Sequence, residues 1–325
     1  HAHQVGREPR VSRARLADVR EPGLAHPQDA VSSRVGPGAG RGRAIEPAVA
    51  AAAAVIAAAG RFDIGRHRDH VARLAIEGLI LDDQVRREAL KELSEDERAK
   101  ALIVAIDSPG GTFFGGQALY QELRDIASKK PVVAILGGVA TSAGYMTALG
   151  SDHIIARSGS LTGSIGVILQ TADVTGLLEK LGIKPETIKS GPMKAQPNPL
   201  EPFTPEARRA TEAVIEDLYD MFIGIVAKRR KMTREQVLTL ADGRVFSGRQ
   251  AKERGLVDAL GAEPEARQWL AKTHEIDAAL PVIEMVIEHE DEPWRDMIQG
   301  LIGKALFSER LRLDGGISLW HPDLY

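Results

Sequence analysis

The stretch that decides the fold is Ile103-Val104-Ala105-Ile106-Asp107-Ser108-Pro109-Gly110-Gly111. Its opening apolar run is typical of a strand buried on both faces of a parallel sheet. The residues after Asp107 predict a loop at the carboxyl end of that strand. Two adjacent glycines allow a backbone to approach a ligand closely and to turn its N–H groups inward, as an oxyanion hole requires. Gly111 N–H is therefore a candidate oxyanion donor, and a plain strand-to-helix turn is the alternative.

A second apolar run, residues 132–136, leads through a glycine pair to Thr141-Ser142-Ala143-Gly144-Tyr145. This order predicts a serine at the junction of a strand and a short buried helix, with its hydroxyl exposed at the strand end. The N-terminal field of a helix stabilises negative charge that develops beside it. Ser142 is thus a candidate nucleophile, with Ala143 N–H as the second oxyanion donor. Helix capping is the other common use of a serine at this position.

A serine needs a general base to become nucleophilic at neutral pH. The candidate base is Lys194, which follows a predicted strand and a Gly-Pro turn in a weakly polar setting. A lysine can act as a base only if burial lowers its pKa. Lys184 and Lys189 are competitors, and His153 is expected to serve structure. Ser164, in a Gly/Ser turn, either holds the lysine amine by a hydrogen bond or only shapes that turn.

Short strand patterns alternate with helical periods from residue 71 onward, which predicts an α/β fold of repeated βα units around a largely parallel sheet. The strand patterns are Val71–Ile76, Ala101–Asp107, Pro131–Leu136, His153–Ala156, Ile165–Leu169 and Glu186–Lys189. The helix patterns are Gln117–Ala127, Thr141–Leu149, a long helix from Thr204, Met232–Leu240, Ser247–Arg254 and Pro264–Ala271. The long helix carries a predicted buried stripe of Ala207, Ala210, Val214, Leu218, Met221 and Ile225.

Composition excludes several classes of function. The chain has 325 residues, 43% of them hydrophobic, with a formal net charge of -3 and no cysteine. It has enough apolar material for a sizeable core. The charge balance provides no broad basic surface for nucleic acid. The lack of cysteine excludes disulfides, Cys-ligated zinc and a thiol nucleophile.

The ends of the chain differ from its middle. Residues 1–43 are Arg-rich and lack aromatic residues, so we predict a disordered or mis-framed segment. Residues 44–61 contain the apolar run Ala48–Ala59. This run predicts a membrane anchor, a signal-peptide core or an Ala-rich soluble helix. Residues 286–325 form a C-terminal extension with an apolar helical stripe at residues 294–307, which predicts packing, an oligomer contact or a helix lying on a membrane surface.

Four motifs together resemble those of the signal peptide peptidase A family, peptidase family S49, in its short form. They are Asp107-Ser-Pro-Gly-Gly, Ser142-Ala-Gly-Tyr, Thr162-Gly-Ser-Ile-Gly and Ser190-Gly-Pro-Met-Lys, in the order of that family. The resemblance covers roughly residues 70–285 and implies a ClpP/crotonase-like fold of ββα/βα units with C-terminal helices. It assigns residues 62–285 to one Ser/Lys peptidase domain.

By that resemblance, Ser142 is the nucleophile and Lys194 the general base, with Ser164 as the auxiliary serine and Gly111 as the oxyanion glycine. The implied activity is hydrolysis of membrane-associated peptides such as cleaved signal peptides, without a metal or cofactor. The resemblance also implies a homo-oligomer in which neighbouring subunits share each active site. It further implies a bacterial inner-membrane protein whose catalytic domain lies outside the cytoplasm. Residues 245–258 resemble the closing segment of the family, which has a structural role.

Four alternatives compete with this interpretation. A crotonase-type acyl-CoA enzyme would use the same backbone donors without needing the serine or the lysine. A ClpP-like Ser-His-Asp protease would need a histidine near Val167, where there is none. An α/β-hydrolase would have to recruit His274, His289 or His321, outside the core that the motifs define. An inactive peptide-binding scaffold would not retain a complete set of catalytic side chains.

Overall fold

The computed structural model describes residues 68–287 and the backbone of residues 317–319. The predicted N-terminal segment 1–43, the apolar run within 44–61 and the helical stripe at 294–307 all lie outside these residues. Within the part of the chain that is described, no helix is both long and apolar enough to cross a membrane.

A mixed, mostly parallel sheet and eight helices make up the described fold. The strands are β1 (His70–Ile80), β2 (Ala99–Thr112), β3 (Val132–Thr141), β4 (His153–Ala156), β5 (Leu161–Gly163), β6 (Val245–Ser247), β7 (Ala259–Leu260), β8 (Val282–Glu284) and β9 (Ile317–Leu319). The helices are α1 (Gln84–Glu95), α2 (Phe113–Ala127), α3 (Ala143–Ala148), α4 (Thr175–Lys180), α5 (Pro205–Arg230), α6 (Arg234–Leu238), α7 (Gly248–Glu253) and α8 (Glu263–His274).

The strand order is β6-β5-β3-β2-β1-β8, and β3 is the branching point. The first half of β3 pairs with β4 and its last residues pair with β5, both in parallel. Two antiparallel additions complete the sheet: β6 pairs with β5, and β9 pairs with Gly110–Thr112 at the end of β2. The carboxyl ends of β2 and β3 therefore lie side by side. This arrangement brings together the two glycine-containing segments of the sequence, one in each strand.

Both faces of the central strands are covered, as the continuous apolar run in β2 predicts. Leu102, Val104 and Ile106 face the larger core beneath α2, α3 and α5. Ile103 points to the opposite face and packs with a smaller cluster that includes Leu270 of α8. Alternate residues of β2 thus pack into two different cores. This packing fixes the register of β2 and the position of its carboxyl end.

The segment 245–258 has the structural role expected of it. The Tyr145 hydroxyl donates to Leu256 O at 2.8 Å inside the core. Asp258 accepts from Ile154 N at 2.8 Å and forms a two-pronged ion pair with Arg230, its oxygens lying 2.7 and 3.1 Å from the guanidinium. These contacts join α3, β4 and α5 to the closing segment, so they hold the short helix that follows Ser142.

The structure confirms the first four predicted strands and the six predicted helices that lie within residues 68–287. The loop predicted after Asp107 is wrong, because residues 108–112 continue β2, where Gly110 and Gly111 pair with Leu79 and Ile80 of β1. The strand predicted at Ile165–Leu169 is wrong, because the paired strand is β5, which ends at Gly163. The strand predicted at Glu186–Lys189 is also wrong, since these residues extend from the chain without a neighbouring strand to pair with among the described residues. Helices α1 and α4 were not predicted.

The long helix departs from its predicted burial. Its C-terminal half packs into the core through Phe222, Ile223 and Val226. By contrast, Val214 is 53% exposed and Met221 is 37% exposed, so part of the predicted stripe faces outward. The chain therefore leaves an apolar stripe on α5 that its own core does not cover.

Candidate active site

Ser142 occupies a strained turn between β3 and α3. Its φ is 57° and its ψ is -119°, a conformation that non-glycine residues adopt rarely and at a cost of about 1–3 kcal/mol. The side chain makes no capping hydrogen bond to α3, so the capping alternative does not describe this serine. The turn instead resembles the sharp strand-to-helix elbow that presents a nucleophile.

Ser142 is buried, with 1% of its surface exposed, so the predicted exposed hydroxyl is wrong for this chain. Neighbouring elements enclose the turn. On one side, Ser142 N donates to Gly163 O at 2.8 Å. On the other side, a Cβ added to Gly144 would lie 3.0 Å from Ser108 O, which shows how closely the end of β2 approaches α3. Tight packing of small residues holds the serine in place.

The carboxyl end of β2, which carries Gly111, is fastened directly to β3. Asp107 accepts a hydrogen bond from Val139 N at 3.0 Å, and Thr141 Oγ1 donates to Pro109 O at 2.9 Å. Thr141 immediately precedes the candidate nucleophile. The end of β2 and the serine are therefore held by adjacent residues, which is the preorganisation that oxyanion stabilisation requires.

Both candidate oxyanion donors lie in this packed region. Gly111 must be glycine, because a Cβ there would lie 1.9 Å from Ile80 O of the neighbouring strand. Its close backbone approach is thus to β1. Ala143 is buried at the first position of α3, and its N–H has no hydrogen-bond acceptor among the described residues. An oxyanion hole built from both N–H groups remains a prediction. It requires a buried N–H that is not already bonded, and Ala143 N–H meets this requirement among the described residues.

Ser164 lies beside the nucleophile turn. Gly163 is paired with Thr141 across β5 and β3, so Ser164 and Ser142 are the next residues on two adjacent parallel strands. Ser164 is 7% exposed, has a φ of 50°, and donates its N–H to Arg244 O at 2.9 Å. The structure therefore brings the two serines together, and the role of Ser164 toward a lysine stays a prediction.

Lys194 is exposed, whereas Ser142 is buried, and no hydrogen bond is seen between the two within residues 68–287. Lys194 lies on an extended arm, residues 166–204, and its backbone N–H donates to Gly191 O at 3.2 Å in a turn. Its side chain is exposed and makes no hydrogen bond or ion pair with any residue in 68–287. Of the competitors, Lys189 forms an ion pair with Glu201, and Lys184 lines a shallow depression on the arm.

Two of the candidate histidines lie far from Ser142. His153 pairs with Val133 at the start of β4, and Ser142 lies nine residues further along the chain, roughly 30 Å away at about 3.3 Å per residue. His153 stacks on Trp269 instead, with ring centroids 4.8 Å apart. His274 contacts the edge of the same tryptophan. Neither His153 nor His274 can therefore serve Ser142 of the same chain, and His289 and His321 lie outside the described residues.

The described residues contain no group of three or more acidic or histidine side chains placed to hold a metal ion. The site consists of a strained serine, small neighbours, a buried backbone N–H and a second serine. The sequence did not reveal the hydrogen bonds made by Asp107 and Thr141, although both residues lie in the stretches that define the site.

Comparison with known proteins agrees with this geometry. The model for peptidase family S49 matches residues 124–277, and the model for Clp protease matches residues 75–162. A candidate protease from Synechocystis is 42% identical over 212 residues, covering 65% of this chain and 76% of that protein. The chloroplastic serine protease SPPA of Arabidopsis thaliana is 35% identical over 178 residues, which is 54% of this chain and 26% of that protein.

A candidate signal peptide peptidase from Enterococcus faecium is 35% identical over 204 residues, covering 62% of this chain and 58% of that protein. The chain therefore spans only part of the Enterococcus and Arabidopsis proteins, 58% and 26% of their lengths. The fold and the matches place the chain among proteases of the ClpP-like class, as the sequence predicted. Within that class, the chain belongs to peptidase family S49, a family of serine proteases.

Proposed function

We propose that the protein is a serine endopeptidase that uses Ser142 as nucleophile and Lys194 as general base. The observation that carries the proposal is the turn at Ser142, which is strained, does not cap its helix and adjoins a buried Ala143 N–H that has no acceptor within residues 68–287. Backbone strain of this kind persists where surrounding structure enforces it, and such positions cluster at active sites.

In the proposed reaction, neutral Lys194 takes the proton of the Ser142 hydroxyl as its oxygen attacks a peptide carbonyl. Gly111 and Ala143 N–H groups stabilise the oxyanion. Lys194 then donates the proton to the leaving amine, and water hydrolyses the acyl-enzyme to regenerate the serine. Ser164, on the adjacent strand, would hold the lysine amine by a hydrogen bond.

The proposed site is shared between subunits of a homo-oligomer. A lysine acts as a base only where it is shielded from water, and Lys194 is exposed in the single chain. The arm around it displays apolar side chains, including Ile188 at 96% exposure and Leu181 at 63%. Val214 and Met221 of α5 are exposed apolar side chains as well. Exposed apolar surface of this extent is typical of an interface, and a second copy of the chain would bury both the arm and its lysine.

The proposed substrates are extended, apolar, membrane-associated peptides such as cleaved signal peptides. The end of β2 already accepts an antiparallel strand, β9, along Gly110–Thr112. A peptide could add to that edge in the same way through main-chain hydrogen bonds. Leu79 and Phe114, 39% and 51% exposed, are apolar side chains close to this edge in the chain. They favour apolar peptides.

The direct test uses a fluorophosphonate probe and an apolar peptide substrate on the full chain. Ser142→Ala should abolish labelling and cleavage, and Lys194→Arg should abolish cleavage because a guanidinium cannot act as a base. Lys184→Arg, on the same arm, is the matched control and should retain activity. Unchanged cleavage in Lys194→Arg would overturn the dyad, whereas CoA-thioester turnover that survives Ser142→Ala would favour a crotonase-type enzyme.

We further propose that the protein resides at the bacterial inner membrane with its catalytic domain outside the cytoplasm. The support is the apolar run Ala48–Ala59 ahead of the protease domain. Mass determination of the mature chain in membrane and soluble fractions tests this placement. A full-length chain found only in the soluble fraction would contradict it.

A further inference from the structure

One carboxylate closes the loop that carries Lys194. Glu201 Oε2 accepts a hydrogen bond from the Lys189 ammonium and another from Gln196 Nε2, the latter at 2.6 Å. Lys189 also donates to Pro192 O at 3.4 Å. A single oxygen therefore joins residues on both sides of Lys194, and residues 189–201 form a closed loop with Lys194 near its middle.

The loop has a defined backbone inside this closure. Lys194 N donates to Gly191 O at 3.2 Å, and Gln196 N donates to Met193 O at 3.3 Å, so two turns overlap at the lysine. Ala195, the next residue, has a φ of 62°. The direction in which the Lys194 side chain leaves the loop therefore depends on how the base of the loop is held.

The closing ion pair is partly shielded from water. The side chains of Lys189 and Glu201 are 17% and 20% exposed, so their attraction is less screened than that of an open surface pair. The hydrogen bond from Lys189 is the main cause that lowers the pKa of Glu201. Glu201 therefore stays ionised at neutral pH and keeps its ion pair with Lys189.

We propose that Glu201 is a positioning residue for the general base. It holds the 189–201 loop closed through Lys189 and Gln196, so that Lys194 reaches the serine in one orientation. The same contacts engage Lys189 and leave Lys194 as the lysine of this loop without a side-chain partner among residues 68–287. This inference rests on the proposed function, because it takes Lys194 as the base.

The test compares Glu201→Gln with Glu206→Gln in the full chain. Glutamine keeps the size of the side chain but cannot form the ion pair, and Glu206 is an exposed carboxylate in the first turn of α5. We expect Glu201→Gln to lower kcat and the rate of fluorophosphonate labelling by about 10- to 100-fold, because misplacing a catalytic group has effects of that size. KM and melting temperature should stay unchanged. Glu201→Asp should restore part of the rate.

A double-mutant cycle that combines Glu201→Gln with Lys189→Met measures whether the two residues affect kcat through their shared ion pair. If Glu201 acts through Lys189, each single change lowers kcat by a similar factor and the double variant is no slower than either. Multiplicative losses in the double variant would overturn the proposed route.

The outcomes separate this inference from the proposed function. If Ser142→Ala and Lys194→Arg are inactive while Glu201→Gln keeps the parent kcat, the positioning role is overturned and the dyad stands. If Lys194→Arg remains active, the dyad itself fails. A loss in Glu201→Gln that appears as a higher KM with a lower melting temperature would mean a structural role alone, and it too would overturn the inference.

Discussion

At the scale of single residues, the site is built from positions that tolerate little change. Ser142 has a backbone conformation that an ordinary helix cap would not need, and Gly111 has no space for a side chain. Their strain and close packing are offset by the two cores on either side of β2. The roles of both residues in chemistry are proposals, while the geometry that makes them suitable follows from the packing of β2 and β3.

His153 makes folding stability depend on pH. Burial is the main cause that lowers its pKa, and Asp258, 3.9 Å from its Nδ1, opposes this only in part. Its pKa in the unfolded chain is about 6.5, so the unfolded state takes up more protons than the folded state as the pH falls through that value. The contribution of His153 to stability is therefore present above about pH 6.5 and is lost below it.

We accordingly expect the melting temperature of the parent protein to fall more between pH 7.5 and pH 5.5 than that of His153→Gln, as measured by calorimetry. Glutamine keeps a polar side chain at this position but does not titrate. Parallel pH profiles for the two proteins would contradict the assignment.

At the scale of secondary-structure elements, α5 and β9 are the informative ones. The C-terminal half of helix α5 packs into the core. Ahead of it, the helix has an exposed apolar stripe that includes Val214 and Met221. Strand β9 occupies the sheet edge formed by Gly110–Thr112. The exposed stripe on α5 suits the proposed contact with a second copy of the chain, and β9 shows that this edge of β2 pairs with a further strand.

Val214→Glu should disrupt the oligomer without unfolding the chain. Val214 is 53% exposed, so a carboxylate there meets water in the single chain but would be buried and unpaired in an interface. We expect a smaller species in size-exclusion chromatography with light scattering, and loss of peptide cleavage. Glu216→Gln, at an exposed position on the other side of α5, is the control and should assemble normally. A Val214→Glu variant of unchanged mass and activity would remove α5 from the interface.

β9 should compete with substrate for the end of β2. A chain truncated after residue 313 lacks this strand, and we expect it to have a lower KM with unchanged kcat, because only ground-state occupancy of the edge is relieved. A synthetic peptide with the sequence of residues 314–325 should raise the apparent KM of the truncated protein. A scrambled peptide of the same composition is the control. Equal KM values and no inhibition would show that β9 and substrate use different edges.

At the scale of the whole molecule, the two side chains of the proposed dyad lie in different surroundings. Ser142 is buried, whereas Lys194 is exposed on its arm. A site divided between copies accounts for the arm, for its apolar side chains and for the exposed lysine together. The symmetry of a closed ring would make every interface equivalent.

A mixing experiment tests this division. Ser142→Ala and Lys194→Arg are each expected to be inactive, but co-assembled at equal amounts they should regain cleavage at about a quarter of their interfaces, where an intact serine meets an intact lysine. Activity should appear only after subunits exchange, as followed by peptide hydrolysis over time. A mixture that exchanges subunits and remains inactive would show that each chain completes its own site.

The sequence by itself determined the central strands, six of the eight described helices and the serine at the end of β3, because burial on both faces and turn chemistry leave local patterns. It also identified family S49, which the comparisons confirm. Only the tertiary structure decided that Ser142 is buried in a strained turn, that residues 186–189 pair with no strand of the described chain and that Glu201 engages Lys189. These features depend on contacts between segments distant in sequence, and so does the exposure of Val214 and Met221 on α5. Local periodicity records that a face is apolar, and it does not record which polypeptide covers that face.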